Sequence, residues 1–118
     1  MDEELKFIRA DMMQMKQVLV NLIQNAIQAC PGEPHIALKT QVKDKTCMIS
    51  IQDHGNGIPD EDLSKIFEPY FTTKKKGTGL GLAIVQRIIR QHGGDIEAQS
   101  EPGKGSIFII SLPCNHEN

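Results

Sequence analysis

Residues 77–82 read Gly-Thr-Gly-Leu-Gly-Leu, and the rest of the chain is organised around this stretch. Alternate glycines leave one side of a loop without β-carbons, so backbone N–H groups can approach a bulky anion. Residues 83–90 continue with apolar side chains at helical spacing, and His92, Gly93 and Gly94 supply a helix stop. A glycine loop that opens a helix suits phosphate, because unpaired N–H groups and the positive end of the helix dipole point the same way. Glycine-rich turns are more often simple tight connections than phosphate sites, so phosphate binding is predicted only together with the residues upstream of this stretch.

Composition limits the classes of protein to which this chain can belong. Its 118 residues are enough for one domain, and a net charge of −2 gives no sign of a nucleic-acid or membrane-surface partner. No apolar run reaches membrane-spanning length and no signal peptide is recognisable, so we expect a soluble cytoplasmic domain, whose parent protein could carry a membrane anchor elsewhere. Cys30, Cys47 and Cys114 are odd in number, widely spaced and not in a metal-ligand pattern, which fits a reducing compartment. Cys30 and Cys47 stand in apolar contexts, which favours small buried hydrophobes.

The first third of the chain predicts a short edge strand followed by a long helix. Residues 5–9 alternate loosely, and Asp11 with Gln14 forms a capping-box pattern that opens a helix over residues 12–30. Pro31-Gly32 ends this helix. Its apolar positions at a period of 3.6 predict a core stripe made of Met15, Leu19, Leu22, Ala26 and Ala29.

The same helix has an unusual polar stripe. Residues 17–32 carry no charge, which predicts burial on several sides, and Asn21, Asn25 and Gln28 follow each other at i, i+4 and i+7. Buried amides need hydrogen-bond partners. An amide network inside the domain and a ligand or hydrated cation above the stripe explain this pattern equally well.

Downstream, two hairpins and a short helix complete the pattern. Strands over residues 36–42 and 47–53 flank a charged turn at 43–45, and Asp53 reaches the strand end on the apolar face. Asp60 is placed to cap a short helix that runs to about Phe67. Residues 95–100 and 106–112, joined by a turn at 101–105, predict the second hairpin. The fold class is therefore α+β: a two-layer α/β sandwich with a mixed, mostly antiparallel sheet of about five strands and three helices on one face.

Four stretches together resemble the motifs of sensor histidine kinases. Residues 21–26 (Asn-Leu-Ile-Gln-Asn-Ala) resemble the asparagine box, and residues 53–57 (Asp-His-Gly-Asn-Gly) the first glycine box. Residues 67–71 (Phe-Glu-Pro-Tyr-Phe) resemble the phenylalanine box, and residues 77–82 the second glycine box. All four stand in family order, and the resemblance covers nearly the whole chain. It implies a Bergerat-type ATP-binding fold, with residues 1–118 as the catalytic ATP-binding domain and a lid over about residues 58–78.

The resemblance also implies a task for each motif residue. Asp53 would accept a hydrogen bond from the exocyclic amine of adenine and leave guanine unpaired, while Gly55 and Gly57 let the backbone approach the base. Asn25 would bind Mg²⁺ through its amide oxygen, and Asn21 would contact phosphate or the water shell of the metal. No residue is expected to act as a catalytic acid or base. The implied nucleotide-binding set, with ATP and Mg²⁺ as cofactors, is Asn21, Asn25, Asp53, Gly55, Gly57, Lys74, Gly77, Thr78, Gly79, Leu80, Gly81, Leu82 and Ser106, with Asn25 as the metal ligand.

The resemblance further implies contacts to the phosphates and to the base. Backbone N–H groups of residues 78–82 would bind the phosphates, and Ser106 would face the base. Lys74 opens a run of lysines at residues 74–76. Such a run is usually a solvated face, but next to the glycine stretch it is at least as well explained by pairing with phosphate charge.

This chain departs at two places from the pattern of the wider superfamily, and these departures bear on which functions are possible. The gyrase, MutL-type and heat-shock members hydrolyse ATP with a glutamate one turn before the metal-binding asparagine, where this chain has Asn21. An amide cannot take a proton from water, so an ATP-hydrolysing clamp is the weaker alternative. A regulatory module that sequesters a protein, as anti-sigma factors do, is a second alternative, which the phenylalanine box disfavours. Gln28 and Ala29 stand where many members have a basic or aromatic side chain, so a supporting phosphate contact is missing or comes from the lid lysines.

The family's phosphate acceptor is not recognisable in this sequence. It is a histidine in a His-Glu or His-Asp context on a dimerising helical hairpin, and none of His35, His54, His92 and His116 has that context. We therefore expect the catalytic half of a two-component sensor kinase, a transferase module that acts with that hairpin and, further along the phosphorelay, a response regulator. The stretch Glu-Pro-Tyr-Phe-Thr-Thr-Lys at residues 68–74 is similar to nitrogen-regulation and sporulation-type kinases.

Overall fold

A computed structural model describes residues 12–30, 32–69 and 81–113. The predicted long helix, both hairpins and the helix after the glycine stretch are all present. None of the helices in these ranges is long and apolar enough to cross a membrane. In chain order the elements are α1 (Met12–Ala29), β1 (Ile36–Lys43), β2 (Thr46–Asp53), α2 (Asp60–Leu63), α3 (Gly81–Gln91), β3 (Asp95–Glu101) and β4 (Gly105–Pro113).

The strands form one antiparallel sheet with the order β1-β2-β4-β3. Each hairpin is closed by a short turn, and β2 pairs with β4 across the middle, so the end of β2 that carries Asp53 lies between two neighbouring strands. The α+β fold class is confirmed. The described ranges contain four strands where about five were predicted, and the expected strand over residues 5–9, like the Asp11 cap, lies outside them.

The turn between β1 and β2 is shorter than the charged turn predicted over residues 43–45, because Lys43 belongs to β1. Asp44 and Lys45 both have positive φ, 53° and 67°, between the paired residues Lys43 and Thr46. A two-residue turn with both φ values positive matches the right-handed twist of the strands that it joins. The hairpin therefore has the register that brings Ile36 opposite Asp53.

One face of the sheet forms the core with α1 and α3. Cys47, Ile49 and Ile51 alternate with less buried neighbours along β2, as the period of two predicted. On α1 the fully buried positions are Val18 and Leu22. Of the predicted stripe, Leu22 and Ala26 are buried, whereas Met15 and Leu19 are half-buried at its margin, because the helix is rotated towards Val18.

The prediction that α1 is buried on several sides is wrong in the described structure. Val20 and Ile27 are 41% and 45% exposed, and Met13 is 80% exposed. These positions repeat every seven residues and therefore lie on one stripe, on the side of α1 that faces away from the sheet. The lack of charge on this helix reflects an uncharged outer face as well as a buried inner one.

The short helix after the first glycine motif ends earlier than predicted. It covers Asp60–Leu63 instead of reaching Phe67, and its N-cap is Pro59, so the predicted Asp60 cap is wrong. The next residues continue in turns, because Ile66 enters the core and the Phe67 ring packs edge-on against Phe108, with ring centroids 6.3 Å apart.

Helix α3 ends with a Schellman motif. The N–H of Gly94 donates to the carbonyl of Ile89 and the N–H of Gly93 to that of Arg90, both at 3.0 Å, and Gly93 has a φ of +81°. The Nδ1–H of His92 donates to the carbonyl of Ile88 at 2.7 Å, because a carbonyl can only accept. His92 is therefore a helix cap, as predicted.

Candidate functional site

The buried carboxylate of Asp53 stands at the end of β2, where the apolar face of the sheet meets the loop that follows. The residue is only 3% exposed, as the alternation of β2 predicted. Its Oδ1 accepts a hydrogen bond of 2.8 Å from the N–H of Gly55. A carboxylate held in this way has a fixed plane and can act as a directional acceptor.

The loop after Asp53 is attached to the last turn of α1. The N–H of Asn56 donates to the carbonyl of Ala29 at 3.0 Å, which satisfies one of the acceptors that a helix C-terminus leaves unpaired. A β-carbon on Gly55 would lie 2.6 Å from the Ala29 carbonyl carbon, so only glycine fits there. The contact places the loop one helical turn from Asn25, on the same helix.

The turn between β3 and β4 packs against the other side of this loop. The N–H of Gly103 donates to the carbonyl of Asn56 at 2.8 Å. Gly57 has a φ of +78°, and a β-carbon there would lie 2.8 Å from the Cα of Pro102. Both glycines of the first glycine motif are therefore required by close backbone contacts. The loop is held between the end of α1 and the hairpin turn.

Serine hydroxyls continue the polar end of the sheet beyond Asp53. Ser106 is directly opposite Asp53 across β2 and β4, and Ser100 is directly opposite Ser106 across β3 and β4. Paired residues of antiparallel strands share a face, so these side chains form a row along one end of the core. Ser106 was predicted as a site residue and is 6% exposed. Ser100 was missed, although the hairpin register predicted from the sequence pairs it with Ser106.

The amide stripe of α1 is divided by burial. Asn21 and Asn25 are half-buried, whereas Gln28 is exposed. Because Gln28 is exposed, the stripe does not continue as a buried network to the end of the helix. The two asparagines lie on the part of α1 that precedes its contact with the Asp53–Gly57 loop.

Only the end of the second glycine motif lies in the described structure. Gly81 is the first residue of α3, and Leu82 packs against the core in a half-buried position. The predicted site residues outside the described ranges are Lys74, Gly77, Thr78, Gly79 and Leu80.

A separate groove of about 420 Å³ lies between Phe67 and Pro69 of the phenylalanine box and the outer side of α3. None of the predicted nucleotide-binding residues lines it. Its lining residues are Phe67, Pro69, Ala83, Gln86, Arg87, Arg90 and Gln91.

Comparison with known proteins identifies the family. The family model described as histidine kinase-, DNA gyrase B- and HSP90-like ATPase matches residues 10–116. The chain belongs to this ATPase family. This ATPase domain is similar to sporulation kinase C of Bacillus subtilis (strain 168), with 42% identity over 94% of this chain and 26% of the relative. It is also similar to the signal transduction histidine-protein kinase AtoS of Escherichia coli (strain K12), with 49% identity over 98% of this chain and 19% of AtoS.

Solved structures agree with this assignment. A nucleotide-free form of the catalytic domain of histidine kinase ThkA superposes with a TM-score of 0.80 at 40% identity, over 89% of this ATPase domain and 69% of that chain. The prediction of a histidine kinase catalytic domain is confirmed. The chain spans a quarter or less of the length of many of its curated relatives, for example 24% of the sensor histidine kinase ZraS of Klebsiella oxytoca.

Proposed function

We propose that this domain binds Mg·ATP and positions its γ-phosphoryl group for transfer to a histidine on a separate dimerisation hairpin, from which it passes to a response regulator. Phosphoryl transfer asks the protein mainly for positioning and charge neutralisation, so the absence of an acid or base among the proposed residues is no obstacle. The observation that carries the proposal is the buried Asp53 carboxylate, fixed by the Gly55 N–H at the end of the central strand β2.

Asp53 gives the site its proposed base selectivity. A fixed acceptor pairs with the exocyclic amine of adenine, whereas guanine presents a carbonyl oxygen at that position and leaves both groups unpaired. Gly55 and Gly57 keep the loop thin where the flat base would approach, and Ser106 adds a hydroxyl beside Asp53. We assign all of these residues to the adenine end of the site.

Asn25 and Asn21 form the proposed metal and phosphate end. An amide oxygen is a hard donor of the kind that Mg²⁺ accepts, and both side chains are half-buried on the helix that carries the Asp53–Gly57 loop at its end. The ion would neutralise the phosphate charge. The proposed phosphate site is completed by the N-terminus of α3 with Gly81 and Leu82 and by the preceding residues Gly77, Thr78 and Gly79. Lys74 belongs to it as well, in a lid over about residues 58–78.

The test is a titration followed by a transfer assay. Isothermal titration should show one site for ADP and for a non-hydrolysable ATP analogue, with GDP binding at least tenfold more weakly. Radiolabelled ATP is then added to the domain together with its candidate dimerisation hairpin, and label should appear on the hairpin histidine.

Other outcomes identify the alternatives. Nucleotide binding without label on any histidine would favour a module that sequesters a protein partner. Steady phosphate release by the isolated chain would favour an ATP-hydrolysing clamp. Absence of any adenine nucleotide binding would refute the proposal. A response regulator as downstream partner and a cytoplasmic location belong to the same proposal, since both follow from a two-component kinase.

A further inference from the structure

Ser100 on β3 makes a hydroxyl-centred cluster next to the proposed adenine end. Its Oγ accepts the N–H of Ile58 at 2.6 Å and donates to the carbonyl of Gly105 at 3.0 Å. A contact of 3.0 Å joins it to the Oγ of Ser106. One side chain thus connects the residue after the first glycine motif, the start of β4 and Ser106.

The chemistry of a hydroxyl decides the direction of these bonds. A serine carries one proton and two lone pairs, so it can donate once and accept twice. Because Ser100 uses its proton on the carbonyl of Gly105 and one lone pair on the N–H of Ile58, its contact with Ser106 is a hydrogen bond only if the Ser106 hydroxyl donates. Ser106 then has lone pairs, and no proton, to offer to a ligand.

We propose that Ser100 is a positioning residue of the nucleotide site, which turns Ser106 into an acceptor and holds the backbone at Ile58. This inference rests on the proposed function. With its proton directed to Ser100, Ser106 joins Asp53 as an acceptor on the same end of the sheet. Two neighbouring acceptors can accept both hydrogens of the exocyclic amine of adenine, whereas guanine presents a carbonyl oxygen at that position and leaves both acceptors unpaired.

Removal of the Ser100 hydroxyl should act on selectivity more than on folding. In Ser100→Ala the Ile58 N–H loses its acceptor, and the Ser106 hydroxyl becomes free to rotate and donate to a carbonyl. We expect ADP affinity to fall about five- to tenfold while GDP affinity is unchanged or rises, so that the preference for ADP over GDP falls about fivefold or more. Ser100→Thr retains the hydroxyl and should keep the preference within about twofold of wild type.

A double-mutant cycle separates positioning from general support. If Ser100 sets selectivity through Ser106, the ADP preference of the Ser100→Ala/Ser106→Ala double variant should equal that of Ser106→Ala alone. If the two serines acted independently, the losses of ADP preference in the two single variants would instead multiply in the double variant. Ser50→Ala is the matched control, because Ser50 is a half-buried strand serine on the opposite face of the sheet, paired with Lys39 and Ile109.

The experiment uses the 118-residue chain, ADP titration by calorimetry and GDP competition against a fluorescent ADP analogue. Circular dichroism verifies that each variant folds, and hydrogen exchange of the Ile58 amide in the nucleotide-free wild type supplies a readout that needs no variant. Protection of that amide, a reduced ADP preference in Ser100→Ala and recovery in Ser100→Thr would support the proposal.

Three results would overturn it: an unprotected Ile58 amide in the folded wild type, an ADP preference in Ser100→Ala equal to that of the Ser50→Ala control, or multiplying effects in the cycle. The two levels of inference can fail separately. A wild type that binds no ADP would defeat the proposed function and this selectivity with it. A wild type that binds ADP, together with unchanged selectivity in Ser100→Ala, would defeat the role of Ser100 alone.

Discussion

Alanine at Gly55 tests whether the loop after Asp53 is held by close contact with α1. The φ of Gly55 lies outside the left-handed region, so an alanine can adopt the backbone conformation without strain. The added methyl, however, would lie 2.6 Å from the carbonyl carbon of Ala29 and 3.0 Å from its Cβ. Ordinary contacts begin at 3.4 Å and the carbonyl oxygen of Ala29 is nearer still, so the loop must move away from the helix by more than about 0.8 Å.

The cost follows from this displacement. Forcing a methyl group into a packed site costs about 1–3 kcal/mol. The movement also breaks the hydrogen bond from the N–H of Asn56 to the carbonyl of Ala29, which is worth about 1 kcal/mol. We therefore expect Gly55→Ala to lower the free energy of unfolding by about 2–4 kcal/mol. For a chain of this size the midpoint of thermal unfolding should fall by about 8–16 °C.

Other glycines provide a matched series. A β-carbon on Gly32 meets nothing within 4 Å, so Gly32→Ala should change stability by less than about 0.5 kcal/mol. Gly103 also has open space but a φ of +85°, so Gly103→Ala should cost about 1–2 kcal/mol from backbone conformation alone. Gly57 combines a φ of +78° with a close contact to Pro102, and Gly57→Ala should be the most destabilising of the four.

The assay is urea unfolding followed by circular dichroism, combined with ADP titration of each folded variant. Gly55→Ala should also weaken ADP binding by about tenfold or more, because Asp53 would lose the N–H that orients it. Equal stability of Gly55→Ala and Gly32→Ala would refute the contact argument. A Gly103→Ala variant less stable than Gly55→Ala would show that backbone conformation outweighs the contact.

Further variants test the site and the core. Asp53→Asn should abolish detectable ADP binding by calorimetry, because an amide of uncertain orientation replaces an acceptor; wild-type affinity would contradict this. Asn25→Asp should change the Mg²⁺ dependence of nucleotide binding more than the preference for adenine, and an unchanged Mg²⁺ titration would count against it. Leu22→Ala should cost about 2–5 kcal/mol in urea unfolding, whereas Val20→Ala on the exposed stripe should cost less than about 0.5 kcal/mol, and equal losses would disprove the orientation of α1.

Features set by local rules could be predicted from the sequence. The alternation of β2 predicted that Asp53 would lie on the buried face, and it does. The glycines after α3 predicted the helix end, because Gly93 supplies the left-handed residue that a Schellman motif needs. Both predictions depend only on neighbours along the chain.

Features set by packing between distant elements could not be predicted from the sequence. The apolar residues of α1 fall on two stripes, and only contact with the sheet selects Val18 over Val20 for burial. The end of α2 depends on Ile66 and Phe67 entering the core instead of continuing the helix. Ser100 was missed because its significance arises from Ile58 and Gly105, which approach it only in the folded chain.

The polar row of Asp53, Ser106 and Ser100 terminates the same sheet face whose apolar residues form the core. A nucleotide bound at this row, as we propose, would contact only the folded protein, so its binding would add to the stability of the fold. A ligand present at about a hundred times its dissociation constant adds about 2.7 kcal/mol to stability, a large share of what a domain of this size has. The empty fraction of the protein would accordingly unfold more often, and proteases would remove it first.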